Sequence, residues 1–139
     1  MRQKLNLITL GVHDLEKSIK FYEKLGWKKS KHSVEGLALF PLGGITLALH
    51  SRHELAADAA VEDKPTGFSG ITFSLNAKSE EEVNAVFAEA EKAGAKITKP
   101  AQKVYWGGYS GYFADLDGNL IEVAFNPFWE LDEADNLKL

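Results

Sequence analysis

The sequence predicts an α+β fold made of two modules with the same order of elements, β-α-β-β-β. Three observations carry this. Short segments rich in β-branched and apolar residues recur along the chain, bounded by Gly, Pro, Asn and Asp as strands are. Two stretches, Asp14 to Gly26 and Ser79 to Gly94, combine helical spacing with a capping residue at the start and a glycine at the end. The order of elements is the same in both halves, as duplication of one supersecondary unit would give.

The first strand is "LNLITLGV" (5–12). Asp14 then caps a helix whose Leu15, Ile19, Tyr22 and Leu25 share a face, and Gly26 ends it. Strand candidates follow at 27–33, "GLALFPL" (36–42) and "GITLALH" (44–50), the last two joined at Leu42-Gly43-Gly44. In the second half "SGITFSLNA" (69–77) is a strand, and Ser79 with Glu82 is a capping box. The helix runs through Val83, Val86, Phe87 and Ala90, spaced for one buried face. Strands "AKITKPAQKV" (95–104), "GYSGYFAD" (108–115) and "NLIEVAFN" (119–126) complete the unit, with Asp117-Gly118 as a tight hairpin turn. Module 1 thus covers about 1–53, a linker about 54–67, module 2 about 68–129, and an acidic surface tail 130–139. "ELAADAA" in the linker has the composition of a short helix and of a lid.

Composition narrows the function. A chain of 139 residues that is 45% hydrophobic fills the core of one domain. The net charge is −4 with Lys and Arg scattered, so nothing favours nucleic acid as a partner. The longest apolar run (37–49) is broken by Pro41, Gly43 and Gly44 and is no membrane span. The absence of cysteine excludes disulfide scaffolds, thiolate zinc sites and cysteine nucleophiles. The N-terminus lacks the apolar core and cleavage site of a secretory signal, and a cytoplasmic location is expected.

Three features together, "LGVHDLEKSIKFYEKLGW" (10–27), the β-α-β-β-β repeat and "GYFADLDGNLIEVAFNPFW" (111–129), resemble the glyoxalase, bleomycin-resistance and dioxygenase group, the vicinal oxygen chelate superfamily. The resemblance covers about residues 5 to 129. It implies a glyoxalase-like fold in which the two modules form a curved mixed sheet around a cleft, and it implies a homodimer. Metal-dependent members hold a divalent ion there on His, Glu or Gln of the first, fourth, fifth and eighth strands. Those positions fall here on Leu7, on Leu47 or Leu49, on Gly70 and on Glu122. Only Glu122 can bind metal, and one carboxylate does not hold a catalytic divalent ion. His50 joins Glu122 as a ligand only if the strand register slips.

Glu122 sits amid Leu120, Ile121, Val123, Ala124 and Phe125. On an ordinary antiparallel strand it would face solvent; inside the cleft implied by the resemblance it becomes a polar anchor or a general base. "KVYWGGYSGYF" (103–113) supplies aromatics and glycines that suit either a core or an aromatic ligand wall, with a hinge at Gly107-Gly108 between Trp106 and Tyr109. Pro127 ends the last strand, leaving Phe128 and Trp129 to cover the cleft edge or a dimer partner. The "DLDGN" stretch lacks the spacing of a calcium loop and reads as a hairpin.

The expected function is binding of a small apolar or aromatic molecule, with no cofactor, in a cleft lined by Leu7, Leu47, Leu49, Gly70, Trp106, Tyr109, Glu122 and Trp129. The alternative is a lyase, isomerase or dioxygenase of the glyoxalase type, either metal-dependent through His50 and Glu122 or working by metal-free acid–base chemistry with Glu122 and Tyr109 as catalytic candidates. A third reading is an interaction domain whose cleft is vestigial.

Overall fold

The computed structural model describes residues 6–64, 67–69 and 71–138. The chain divides into two compact units, Met1–Ser69 and Gly70–Leu139. Unit 1 contains β1 (Leu7–Val12), α1 (Leu15–Lys24), β2 (Leu37–Pro41), β3 (Thr46–Ser51) and α2 (Arg52–Asp58). Unit 2 contains β4 (Thr72–Ala77), α3 (Glu80–Ala93), β5 (Lys96–Lys103), β6 (Tyr109–Ala114) and β7 (Leu120–Phe125). Among the described residues no helix is long and apolar enough to cross a membrane.

The helix boundaries follow the caps. The Asp14 carboxylate accepts the Lys17 amide at 3.0 Å, and the Ser79 hydroxyl accepts the Glu82 amide at 3.2 Å. Glu82 reaches back to the Lys78 amide at 2.6 Å, one residue earlier than an ideal capping box. Gly94, at φ 102°, ends α3 in the left-handed conformation that costs glycine least.

In unit 1 the strand order is β1-β3-β2, with β1 parallel and β2 antiparallel to β3. Tyr22 of α1 forms its core, 5.2 Å from Trp27 in a stacked pair and 5.9 Å from Phe40. The buried stripe of α1 is Ser18, Ile19, Phe21 and Tyr22, one step round from the predicted one. The strand expected at 27–33 does not form. Lys28, Lys29, Lys31 and His32 offer no apolar face to bury, and single bonds satisfy the open edge of β2 instead. Ser30 donates its amide to the Leu39 carbonyl at 2.7 Å, and the Ser33 hydroxyl accepts the Leu39 amide at 3.0 Å. The linker helix expected after β3 is α2, capped by the Ser51 hydroxyl. Gly11 admits it: a Cβ there would meet the Arg52 backbone at 3.0 Å.

In unit 2 the order is β4-β7-β6-β5, again with first and last strands parallel. One face packs under α3, where Phe87 meets Phe113 edge-on at 6.0 Å beside buried Val83, Ile121 and Val123. Pro100 falls in β5, an edge strand with register shifts, where a missing N–H is tolerated. The tail is not loose. Residues 130–138 form a second small hairpin with a bridge between Leu131 and Leu137, tied to the unit by an ion pair between Lys78 and Asp135.

Candidate functional site

The sheet of unit 2 presents its second face away from α3, and strand alternation decides what stands on it. Register places Ser74 of β4 and Tyr112 of β6 on either side of Glu122 of β7. The central carboxylate is thus flanked by two hydroxyls. Ser74 donates to it at 3.1 Å, and Tyr112 is paired with it across the strands. Desolvation is the first cause pushing the Tyr112 phenol above its ordinary value; the hydrogen bond to Glu122 and the charge of that carboxylate follow. Lys99 of β5 lies 5.8 Å from the centre of the Tyr112 ring. No cation pairs with Glu122 among the described residues.

Above this row lies a concavity of about 590 Å³, the size of a small-molecule pocket. Its polar lining is Ser74, Asn76, Glu122 and Asn126; Trp106, Ala124, Phe128, Trp129 and Leu137 form the apolar wall. The turn between β5 and β6 builds that wall. Val104 and Gly108 close it with a 3.0 Å bond, and Gly107 has φ 91°. A Cβ on Gly108 would lie 1.7 Å from the Trp106 ring, so the indole folds directly over that glycine. The Phe128 ring covers Gly107, 3.3 Å from where its Cβ would be. The expected hinge is therefore a hydrogen-bonded turn with an aromatic ring on each glycine. After Pro127, the Asn126 side chain accepts the Phe128 amide at 3.0 Å and turns Phe128 and Trp129 onto the same concavity.

Of the expected site residues, the structure brings Trp106, Glu122 and Trp129 together. Tyr109 lies elsewhere: its hydroxyl donates to Asn84 of α3 at 3.0 Å, and Tyr112 is the tyrosine that reaches Glu122. The two differ by three positions and so occupy opposite faces of β6. Leu47 and Leu49 are 5% and 0% exposed, on the core face of β3 that pairs with Phe40 and Ala38 under α1, so neither lines an open surface. Leu7 is exposed at the start of β1. Gly70 lies outside the described residues. His50 donates from Nδ1 to the Gly36 carbonyl at 2.7 Å, with Glu54 at 3.9 Å. Ser74, Asn76, Tyr112 and Leu137 were not anticipated. The alternation of "TFSLNA" against "LIEVAF" carries the first two, but Leu137 depends on the tail hairpin, which has no periodic signal.

The donor set does not fit a catalytic divalent ion. Glu122 has hydroxyls beside it, and among the described residues no three His, Cys, Asp or Glu side chains cluster to hold one.

The chain is α+β, with a helix-backed sheet in each half. The chain belongs to the glyoxalase/bleomycin resistance protein/dioxygenase superfamily, whose family model matches residues 4–123. A curated relative, the metallothiol transferase FosB of Shouchella clausii (strain KSM-K16), is 31% identical over 121 residues, covering 86% of this chain and 77% of that protein. Among solved structures, a glyoxalase-related enzyme from Fulvimarina pelagi superposes with a TM-score of 0.90 at 30% identity over 99% of both chains. A lactoylglutathione lyase from Agrobacterium tumefaciens, at 22% identity and a TM-score of 0.69 over 95% of this chain and 100% of that one, shares the fold.

Proposed function

We propose that this chain binds a small apolar or aromatic molecule in the concavity of its second unit, without a catalytic metal, as a cytoplasmic homodimer. One observation carries the reading: Glu122, buttressed by Ser74 and Tyr112, lies in a pocket of about 590 Å³ walled by Trp106, Phe128 and Trp129. Such a site fixes a ligand by one polar anchor and stacks its apolar body. Ligands that bind only the folded state raise its melting point. A thermal-shift screen in excess chelator is expected to give hits whose shifts are unchanged when divalent ions are restored. Hits that all require a divalent ion would overturn the reading.

A second reading is favoured by the identity to a metallothiol transferase: a metal-dependent enzyme of the superfamily. Residues outside the described set would have to complete its ligand shell beside Glu122. It requires turnover of thiol-transfer, hemithioacetal or catechol substrates that appears on adding metal.

A further inference from the structure

Three features of the pocket specify the chemistry of its occupant more closely than apolar or aromatic. The first is charge. The Glu122 carboxylate is flanked by the Ser74 and Tyr112 hydroxyls, but no Lys, Arg or His among the described residues pairs with it. The hydrogen bond from Ser74 leaves lone pairs on the carboxylate open toward the concavity. Lys99 lies 5.8 Å from the centre of the Tyr112 ring and forms no ion pair with the carboxylate.

The second feature is the wall. Two indoles and a phenyl ring surround the same space, and the faces of such rings carry the negative part of an aromatic quadrupole. A cation is therefore attracted by the wall as well as by the carboxylate, whereas an anion is disfavoured by both.

The third is polarity. The remaining polar lining is made of Asn76 and Asn126, whose side chains bring no charge that would compete with Glu122. Asn126 is already engaged with the Phe128 amide, which leaves Asn76 to orient a second polar group of the ligand.

We infer that the pocket takes a protonated amine carried on an aromatic or apolar body, with the ammonium N–H groups donating to Glu122 and the body against Trp106 and Trp129. This deepens the proposed small-molecule function and rests on it. The charge assignment belongs to Glu122, and the volume and the ring wall belong to the body.

Isothermal titration of the full chain with three isosteric probes separates the two parts. The probes are 2-naphthylmethylamine as its ammonium, 2-naphthylmethanol and 2-naphthoate. The amine is expected to bind about tenfold or more tighter than the alcohol, as a charge-assisted hydrogen bond with cation–π support provides, and the carboxylate weakest. In Glu122→Gln the advantage of amine over alcohol is expected to vanish. Added salt should weaken the amine alone in the unaltered protein, a readout that needs no variant. Equal binding of amine and alcohol by the unaltered protein would overturn the charge assignment and leave the pocket standing. An amine preference that survives in folded Glu122→Gln would overturn the role of Glu122. If none of the three binds, the small-molecule reading falls, and this inference with it.

Discussion

Glu122 is a charge on a strand of hydrocarbon neighbours, and its two hydroxyl partners are a consequence of register rather than of sequence proximity. Ser74 is 48 positions away. Tyr112 offers a direct probe of the row. Its folded-state value is raised, so in the unfolded chain the phenol ionises first, near its ordinary 10.0. Stability from the neutral phenol is therefore complete below that value and is lost as pH climbs through the raised folded value. Ultraviolet difference titration of the unaltered protein against Tyr112→Phe should show one phenol ionising above 10.0. Because desolvation is the larger cause, Glu122→Gln should lower that titration only partway. Trp106 has an equally specific neighbour. Gly108→Ala places a methyl group inside the indole ring and against the Phe125 carbonyl at 2.6 Å, which forces the turn to rearrange. Overpacking of this kind costs about 1–3 kcal/mol. Denaturant melts should show that loss, together with a red-shifted tryptophan emission and weakened binding in the pocket. At this scale the sequence pointed to Glu122, Trp106 and Trp129, which line one concavity, and to Tyr109, whose hydroxyl reaches Asn84 of α3 instead. Both Tyr109 and Tyr112 lie in "GYSGYF", and their phase is set by where the turn at 104–108 releases the chain.

Two loops of unit 2 use one device, which neither spacing nor hydropathy reveals. In "DLDGN" the Asp115 carboxylate accepts the amides of Asp117 and Asn119 and the Asn119 side chain, at 2.9, 2.8 and 2.8 Å. In "DEADN" the Asp132 carboxylate accepts the amides of Ala134 and Asn136, at 2.8 and 2.9 Å, and the Asn136 side chain. The fourth residue of each has positive φ, 86° at Gly118 and 61° at Asp135. The first loop reads as a hairpin because Asp117-Gly118 lies between alternating strands; the second reads as an acidic tail because it has neither a glycine nor flanking alternation. Burial separates their consequences. Asp115 is 6% exposed, and Asp115→Ala strands the half-buried donors of Asp117 and Asn119, at up to about 1–3 kcal/mol for each group left unsatisfied. A clear fall in the midpoint of urea unfolding is expected. Asp132→Ala should leave that midpoint nearly unchanged, because its loop is exposed. It should instead speed amide exchange at Asn136 and Lys138 and alter the pocket wall at Leu137. The Asn136 amide, followed by its side chain, holds the Asp132 carboxyl below the ordinary carboxylate value. The stabilising effect of that carboxylate is therefore present above the ordinary value of 3.8 and is lost as pH falls through the lowered one. Amide exchange of the tail hairpin should rise over that acid window before β7 opens.

Each unit repeats the same plan, a parallel first and last strand with a helix behind them. The plan was legible because capping, helical spacing and strand alternation are local. The missing strand at 27–33 was not, because a loop and one serine hydroxyl can satisfy an edge as well as a ladder can. The placement of Leu47 and Leu49 was not legible either, since which face of a strand meets a helix depends on the pairing with β2. These differences bear on metal. Of the four ligand positions implied by the superfamily, Leu7 and Gly70 have no donor atom whatever their placement, and β3 turns Leu47 and Leu49 into the core. His50, an alternative donor on β3, is held through Nδ1 by the Gly36 carbonyl and offers one further ligand at most through Nε2. A carboxylate with a serine and a tyrosine beside it supplies one good ligand, where zinc needs three or four and harder ions need several oxygens. Protein loaded with nickel, zinc, manganese or iron and then dialysed is therefore expected to keep well under one equivalent of any of them by elemental analysis, and Glu122→Ala should not change the result. Retention of a full equivalent that disappears in Glu122→Ala would show that residues other than these four positions complete a metal shell, and would turn the search from bound amines to metal-dependent turnover.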